Sequence, residues 1–442
     1  MSVTVLNLQE WEHCTPETTP VLRGLSFAGD AATRLRAEQL TIAQQLEILE
    51  LARGLAIQTN SFVGNVMLGP VQLVIHPKLT GLPLLNLLRY AYHLRDLTIL
   101  PESDYTIGDA TFQDLLIAQL AAEVEEVLAR GLHREYERTA EPLSSPRGRL
   151  DFQTYARRGG VAAAALPCIH HPRLETTLLN QVLLAGLNLG ARLTTDLILR
   201  GRLRRLAQVL ALTLTPASLH QETLAQAKRA LDRRTAAYLP ALTLVELLLQ
   251  ASGLALDIPT GLRLPGFLFD MNRFFQALLS RFLHDYLPGD YIIRDEYLLK
   301  EMFAYVPGHN PRHSQTPTPR PDFAILQGAH LVALLDAKYR DLWENPLPRE
   351  MLYQLSLYAL SQPPGATATI LYPTLDPTAR EARIAIREPL TGGDRAYVVL
   401  RPVDLLYLNE VLTTFTREKQ RRACQILAQQ LALGKGLSYE HT

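Results

Sequence analysis

The apolar positions change period along the chain, and the changes mark its elements. Leu40 to Leu55, LTIAQQLEILELARGL, has apolar residues at three- and four-residue spacing and predicts a helix. SFVGNVMLG and VQLVIHPK, β-rich runs around Gly69-Pro70, predict a hairpin. LPLLNLLRYAYHL returns to helix, and residues 111 to 132 read as a long amphipathic helix ending near Gly131. TTLLNQVLLAGLNLGARL, ETLAQAKRALDRR and LPALTLVELLLQ carry the helical period through the middle. Proline and glycine then punctuate Asp257 to Phe267, DIPTGLRLPGF. Beyond it come helix MNRFFQALLSRFLHDYL, strand YIIRDEYLL and the polar, proline-rich loop YVPGHNPRHSQTPTPRP, which has little apolar surface to bury. Two strand-like runs around Gly328, helix PREMLYQLSLYALS, strands ATATILYP and AYVVLRP, and a terminal helix from near Val403 complete the chain. The pattern predicts a multidomain α/β protein: an α+β region over 1–110, a mainly helical region over 111–260, and an α/β domain over 261–442.

Composition narrows the picture. A chain of 442 residues is long enough for two or three domains. Lys+Arg and Asp+Glu are both 44, so any basic footprint for nucleic acid must be local. Arg200 to Arg205, RGRLRR, and Arg233-Arg234 are such clusters, readable as solvated helix faces or as phosphate contacts. Three scattered cysteines form no zinc pattern and no disulfide framework. The start, MSVTVLNLQEWEHC, lacks the charged-then-apolar order of a signal peptide. The most apolar run contains Pro240, Glu246 and Gln250 and reads as a buried helix, so the expectation is a cytoplasmic protein without a membrane span.

Candidate chemistry lies in RPDFAILQGAHLVALLDAKYR, Arg320 to Arg340. Side chains alternate along a strand, so Asp336 and Lys338 share one face. A three-residue loop Gly328-Ala329-His330 sets Asp322 opposite Asp336 on that face; a register shifted by one separates them. Two facing carboxylates about 5 Å apart repel unless a cation joins them. Hard oxygen ligands suit Mg²⁺, or Mn²⁺ in its place, and a neighbouring lysine suits charge developing on a phosphate. The competing reading is an ion pair of Lys338 with either aspartate at a sheet edge. Gln354 and Tyr358, four apart, project from one face of the following helix, toward a ligand or simply onto the sheet. Cys168 with His170-His171 is too tightly spaced for tetrahedral ligation on its own.

Asp322, Asp336-Ala337-Lys338 and Gln354-x-x-x-Tyr358 together resemble the PD-(D/E)xK nuclease superfamily in its RecB-like branch. More narrowly, the chain resembles the McrC family, the nuclease subunit of McrBC-type modification-dependent restriction systems. FVGNVMLGPVQLVIHPKL, ARGLHREY (Ala129 to Tyr136), RGRLDF (Arg147 to Phe152) and the Asn180 helix are similar to that family's N-terminal and middle regions. The resemblance implies a PD-(D/E)xK core of mixed sheet and flanking helices, and a Mg²⁺-dependent endodeoxyribonuclease acting in phage defence. It implies Asp322, Asp336 and the Ala337 carbonyl as metal ligands, with Lys338, Gln354 and Tyr358 catalytic. It also implies docking through the N-terminal region to a McrB-type AAA+ GTPase ring whose hydrolysis is stimulated, and cutting of double-stranded DNA carrying modified cytosine, which the partner recognises. No GxxxxGK[ST] occurs in the chain itself. One departure stands out: where the family pattern expects a glutamate, MNRFFQ has Gln276, with Asp295 and Glu296 as candidate substitutes. Two alternatives follow: a scaffold and GTPase activator with a degenerate site, or a stand-alone RecB-like repair nuclease.

Overall fold

A computed structural model describes residues 4–27, 29–94, 111–157, 164–252, 266–300, 302–413 and 417–434. The described residues up to Leu94 and those from Leu268 on form one compact unit, and those from Thr111 to Phe267 form a second. The N-terminal and C-terminal regions, read separately in the sequence, therefore share a unit. Most of the expected boundary, Asp257 to Phe267, lies outside the described residues.

In the first unit the expected hairpin forms from Phe62–Leu68 and Val71–His76, with Leu68 facing Val71. Gly69, at φ +57°, supplies the left-handed residue that a two-residue connection needs. Thr4–Gln9 lies parallel to Val71–His76, and Gly266–Asp270 forms the opposite edge of this four-stranded sheet. Leu40 to Leu55 is not one helix. The helix Ala31–Ile42 ends first, and Leu46–Leu51 then pairs antiparallel with Gly54–Thr59. Leu46 and Ile48 are buried while Glu47 and Leu49 are exposed, a period of two. In so short a window the apolar spacing fits both periods, and cross-strand packing decides.

The larger sheet has six strands in the order Tyr291–Asp295, Phe323–Gln327, His330–Ala337, Thr367–Thr374, Asp394–Asp404, Ala382–Arg387. The first three form an antiparallel meander, the next two pairings are parallel, and the last strand returns antiparallel. Between the parallel strands His330–Ala337 and Thr367–Thr374 runs the helix Arg349–Leu360, as a parallel crossover requires. Its Leu355, Tyr358 and Ala359 pack on Ala324, Leu334, Ala368, Ile370 and Val398, a dry face with most members wholly buried. The helix Met271–Tyr286 also packs on His330–Ala337. It buries Phe274, Phe275, Leu278, Leu279, Phe282 and Leu283 and starts at Asp270, whose carboxylate accepts from the Asn272 and Arg273 amides.

The second unit is mainly helical, with helices Phe112–Arg130, Leu178–Leu193, Leu197–Ala211, Gln221–Arg229 and Leu239–Ser252. Thr111, Thr177 and Asp196 cap three of these starts. Gly186 lets Val245 approach the Leu178–Leu193 backbone so closely that a Cβ there would collide with it. Of the basic run, Arg202 pairs with Glu125 and Arg200 donates to the Thr194 carbonyl, whereas Arg204 and Arg205 stay exposed.

Candidate active site

The hairpin register decides whether the two aspartates meet. Phe323 faces Leu335 and Ile325 faces Ala333, so Asp322 and Asp336 lie at the same level, as expected. The expected loop is corrected, however. Gln327 pairs with His330 across a two-residue turn, and a bulge beside Val332 restores the register further along.

Asp336 is 2% exposed, and its Oδ2 lies 2.9 Å from Lys338 Nζ. Asp322 is gripped on both oxygens. Its Oδ2 accepts from the Ala337 amide at 2.7 Å, and its Oδ1 from Gln276 Nε2 at 3.1 Å. The Lys338 amide donates to the Leu371 carbonyl, which anchors the strand end to its parallel neighbour. Gln354 Nε2 donates to the Tyr358 hydroxyl at 2.8 Å, while Tyr358 is buried near the charges of Asp336 and Lys338. Gln276, Asp322, Ala337 and Lys338 line one cleft of about 230 Å³, together with Trp11, Asn272, Tyr339, Arg340 and Met351.

Burial, then the charge of Asp336, pushes the Asp322 carboxyl up to about 6. Burial also raises Asp336, against the pull of Lys338. At Lys338 burial works against the charged form, but the two aspartates outweigh it and lift the ammonium above its ordinary value. The site is thus short of positive charge. Two carboxylates strained toward protonation fit a hard divalent cation such as Mg²⁺, which would relieve their repulsion. Among the described residues no group of three His, Cys, Asp or Glu side chains forms a metal cluster.

The family profile described as McrBC 5-methylcytosine restriction system component matches residues 57–373, well over half of the chain. This chain belongs to that family. The matched span of this McrBC family member includes Gln276, Asp322, Asp336, Lys338, Gln354 and Tyr358. Among solved structures it is similar to a chain of the refined half-complex from a tetradecameric assembly of Thermococcus gammatolerans McrB AAA+ hexamers with bound McrC. That match has 19% identity, 96% of this chain and 100% of that chain covered, and a TM-score of 0.62. A cryo-EM structure of the Thermococcus gammatolerans McrBC complex matches at 20% identity over 64% of this chain and 87% of that one, with a TM-score of 0.45. No curated protein matches.

In this McrBC family member Asp322, Asp336, Ala337 and Lys338 converge. Ala337 contributes its amide to Asp322, and Gln354 reaches the site through Tyr358. The two candidate substitutes for an acid at 276 separate. Asp295 accepts from Ser280 and lies against His284, whereas the Glu296 amide donates to the Asp322 carbonyl and its charge is felt at Asp322. Sequence reading missed the support beneath the strand end. The Tyr339 amide donates to Asn272 Oδ1, and its hydroxyl donates to Glu10 Oε1 at 3.0 Å. The Lys78 amide donates to the same Glu10 oxygen at 2.8 Å, and burial pushes that carboxyl up to about 7. Asn272 sits four residues before Gln276 on one helix and was legible in principle. Glu10 and Trp11 carried no signal.

Proposed function

We propose that this chain is the McrC-type nuclease subunit of a McrBC-like restriction complex. In this reading it binds a McrB-type AAA+ GTPase ring, stimulates that ring, and cuts DNA carrying modified cytosine. The observation that carries the nuclease part is that Asp322 and Lys338 line one cleft and Lys338 pairs with the buried Asp336 behind it, within the segment that the family profile matches. The partner follows from family membership and from likeness to a fold solved with McrB hexamers and bound McrC.

The site reads as PD-(D/E)xK in type: a carboxylate at a strand start, and Asp-x-Lys at the end of its neighbour. Asp322 and Asp336 would hold Mg²⁺, which supplies Lewis acidity and positive charge at the scissile phosphate. Lys338 places a permanent cation beside that phosphate, where it offsets charge developing on the oxygens. The Ala337 amide and Gln276 fix the Asp322 carboxylate before substrate arrives. Tyr358, buried behind the site and oriented by Gln354, would act through the charges of Asp336 and Lys338 that it lies near.

A second reading, a scaffold with a decayed site, draws on Gln276, an amide that brings no charge. The retained pair of aspartates with Lys338 favours the first reading. The test is Asp336→Ala, assayed on methylated DNA with the GTPase partner and Mg²⁺ or Mn²⁺. Cleavage should fall to background while partner binding and GTPase stimulation persist. A wild-type protein that stimulates its partner but never cuts would establish the scaffold.

A further inference from the structure

We propose that Arg340, seated on the ring of Trp11, is a DNA-phosphate-binding group in the wall of the cleft. The inference rests on the nuclease reading and adds to it the residue that holds the substrate backbone beside the carboxylates.

Two cations line the cleft, Lys338 and Arg340. Lys338 shares its charge with the buried Asp336 at 2.9 Å. No carboxylate among the described residues forms an ion pair with Arg340, and its buried Nε has no hydrogen-bond acceptor. A guanidinium two residues beyond the site lysine, without an ion pair among the described residues, suits a phosphate oxygen, for which its planar fork of donors is matched.

Its seat is built rather than incidental. The Arg340 guanidinium lies over the Trp11 ring, 5.2 Å from the centroid, which holds the group without neutralising it. Trp11 is fixed in turn: its indole Nε1 donates to the Tyr339 carbonyl at 3.0 Å, one residue before Arg340. Its backbone sits at φ +61°, a left-handed conformation uncommon for a bulky residue. The adjacent Glu10 binds Tyr339 through its hydroxyl. The N-terminal segment thus reaches the strand end at two successive residues and presents an aromatic face beside the cation. That combination is the one nucleic-acid clefts use to hold a backbone and a flanking base.

The test uses the full chain and a labelled DNA duplex in EDTA, so that cutting does not intervene, with affinity followed by anisotropy from low to moderate salt. Arg340→Gln keeps the packed stem and removes the charge; it should weaken binding roughly tenfold and make the log–log salt slope shallower by about one. Arg340→Lys keeps the charge and should retain the wild-type slope. The chain has two tryptophans, so Trp343→Phe leaves Trp11 as the sole reporter, and its emission should change on adding DNA. Equal slopes for wild type and Arg340→Gln, or an unresponsive Trp11, overturn the inference and leave the nuclease reading standing. Loss of slope in both the Gln and Lys variants marks a purely structural role and overturns it as well. A wild type that binds no DNA on its own overturns the inference, and one that also cuts no DNA with its partner and Mg²⁺ refutes the nuclease reading itself.

Discussion

Replacing Lys338 by Met removes the charge that stabilises a buried carboxylate while keeping most of the apolar stem. The Asp336 side chain is 3% exposed and that of Lys338 28%, with 2.9 Å between their charged atoms. At an effective dielectric near 20 the gross attraction at that distance is roughly 6 kcal/mol. Desolvation of both groups offsets more than half of it, so the expected destabilisation is about 2–3 kcal/mol near neutral pH. The sign of its pH dependence follows from Asp336. Deprived of its cation, that carboxyl has a folded pKa raised further above the unfolded value. A raised carboxyl contributes stability below its unfolded pKa and loses it as pH rises through the folded one. The gap between variant and wild type should therefore widen from pH 5 to pH 8. Urea unfolding of both proteins at the two pH values, followed by tyrosine and tryptophan emission, measures it. The double variant Asp336→Asn, Lys338→Met completes the cycle and should recover much of the loss, because no unpaired charge remains. A gap independent of pH, or a double variant as unstable as the sum of the singles, would refute the reasoning that Asp336 is held ionised by Lys338.

Glu10, with its carboxyl pushed up to about 7, should make the wild type lose roughly 2–3 kcal/mol between pH 5 and pH 8. Glu10→Gln removes that loss, and parallel pH profiles of the two proteins in urea would count against the assignment. Gln276→Glu puts a carboxylate where an amide now donates to Asp322. It should tighten Mn²⁺ binding about tenfold in titration calorimetry, since ligand charge sets affinity at such sites; unchanged affinity would place the ion away from residue 276.

Much of the candidate site was legible because it is local. Alternation along a strand fixes Asp336 and Lys338 on one face whatever the rest of the chain does. Glycine at 328 marks the turn that brings Asp322 beside them. The bulge at Val332 was not legible, since nothing in its residue type distinguishes it from its strand neighbours. Helix and strand spacing were equally satisfied in Leu40 to Leu55, so pairing with the second strand and packing against the helix Ala31–Ile42 settled the matter, not propensity.

What the sequence determined by itself is therefore a set of short-range relations: which residues share a strand face, and which acids stand near a lysine. Tertiary structure alone decided that Glu10 and Trp11 bind Tyr339 across more than three hundred residues, and that Arg340 faces the cleft with no ion pair among the described residues. The physical reason is that backbone geometry imposes local periods on any chain. A contact between distant segments depends on which buried surfaces fit once the whole unit has closed, and no single segment encodes that fit.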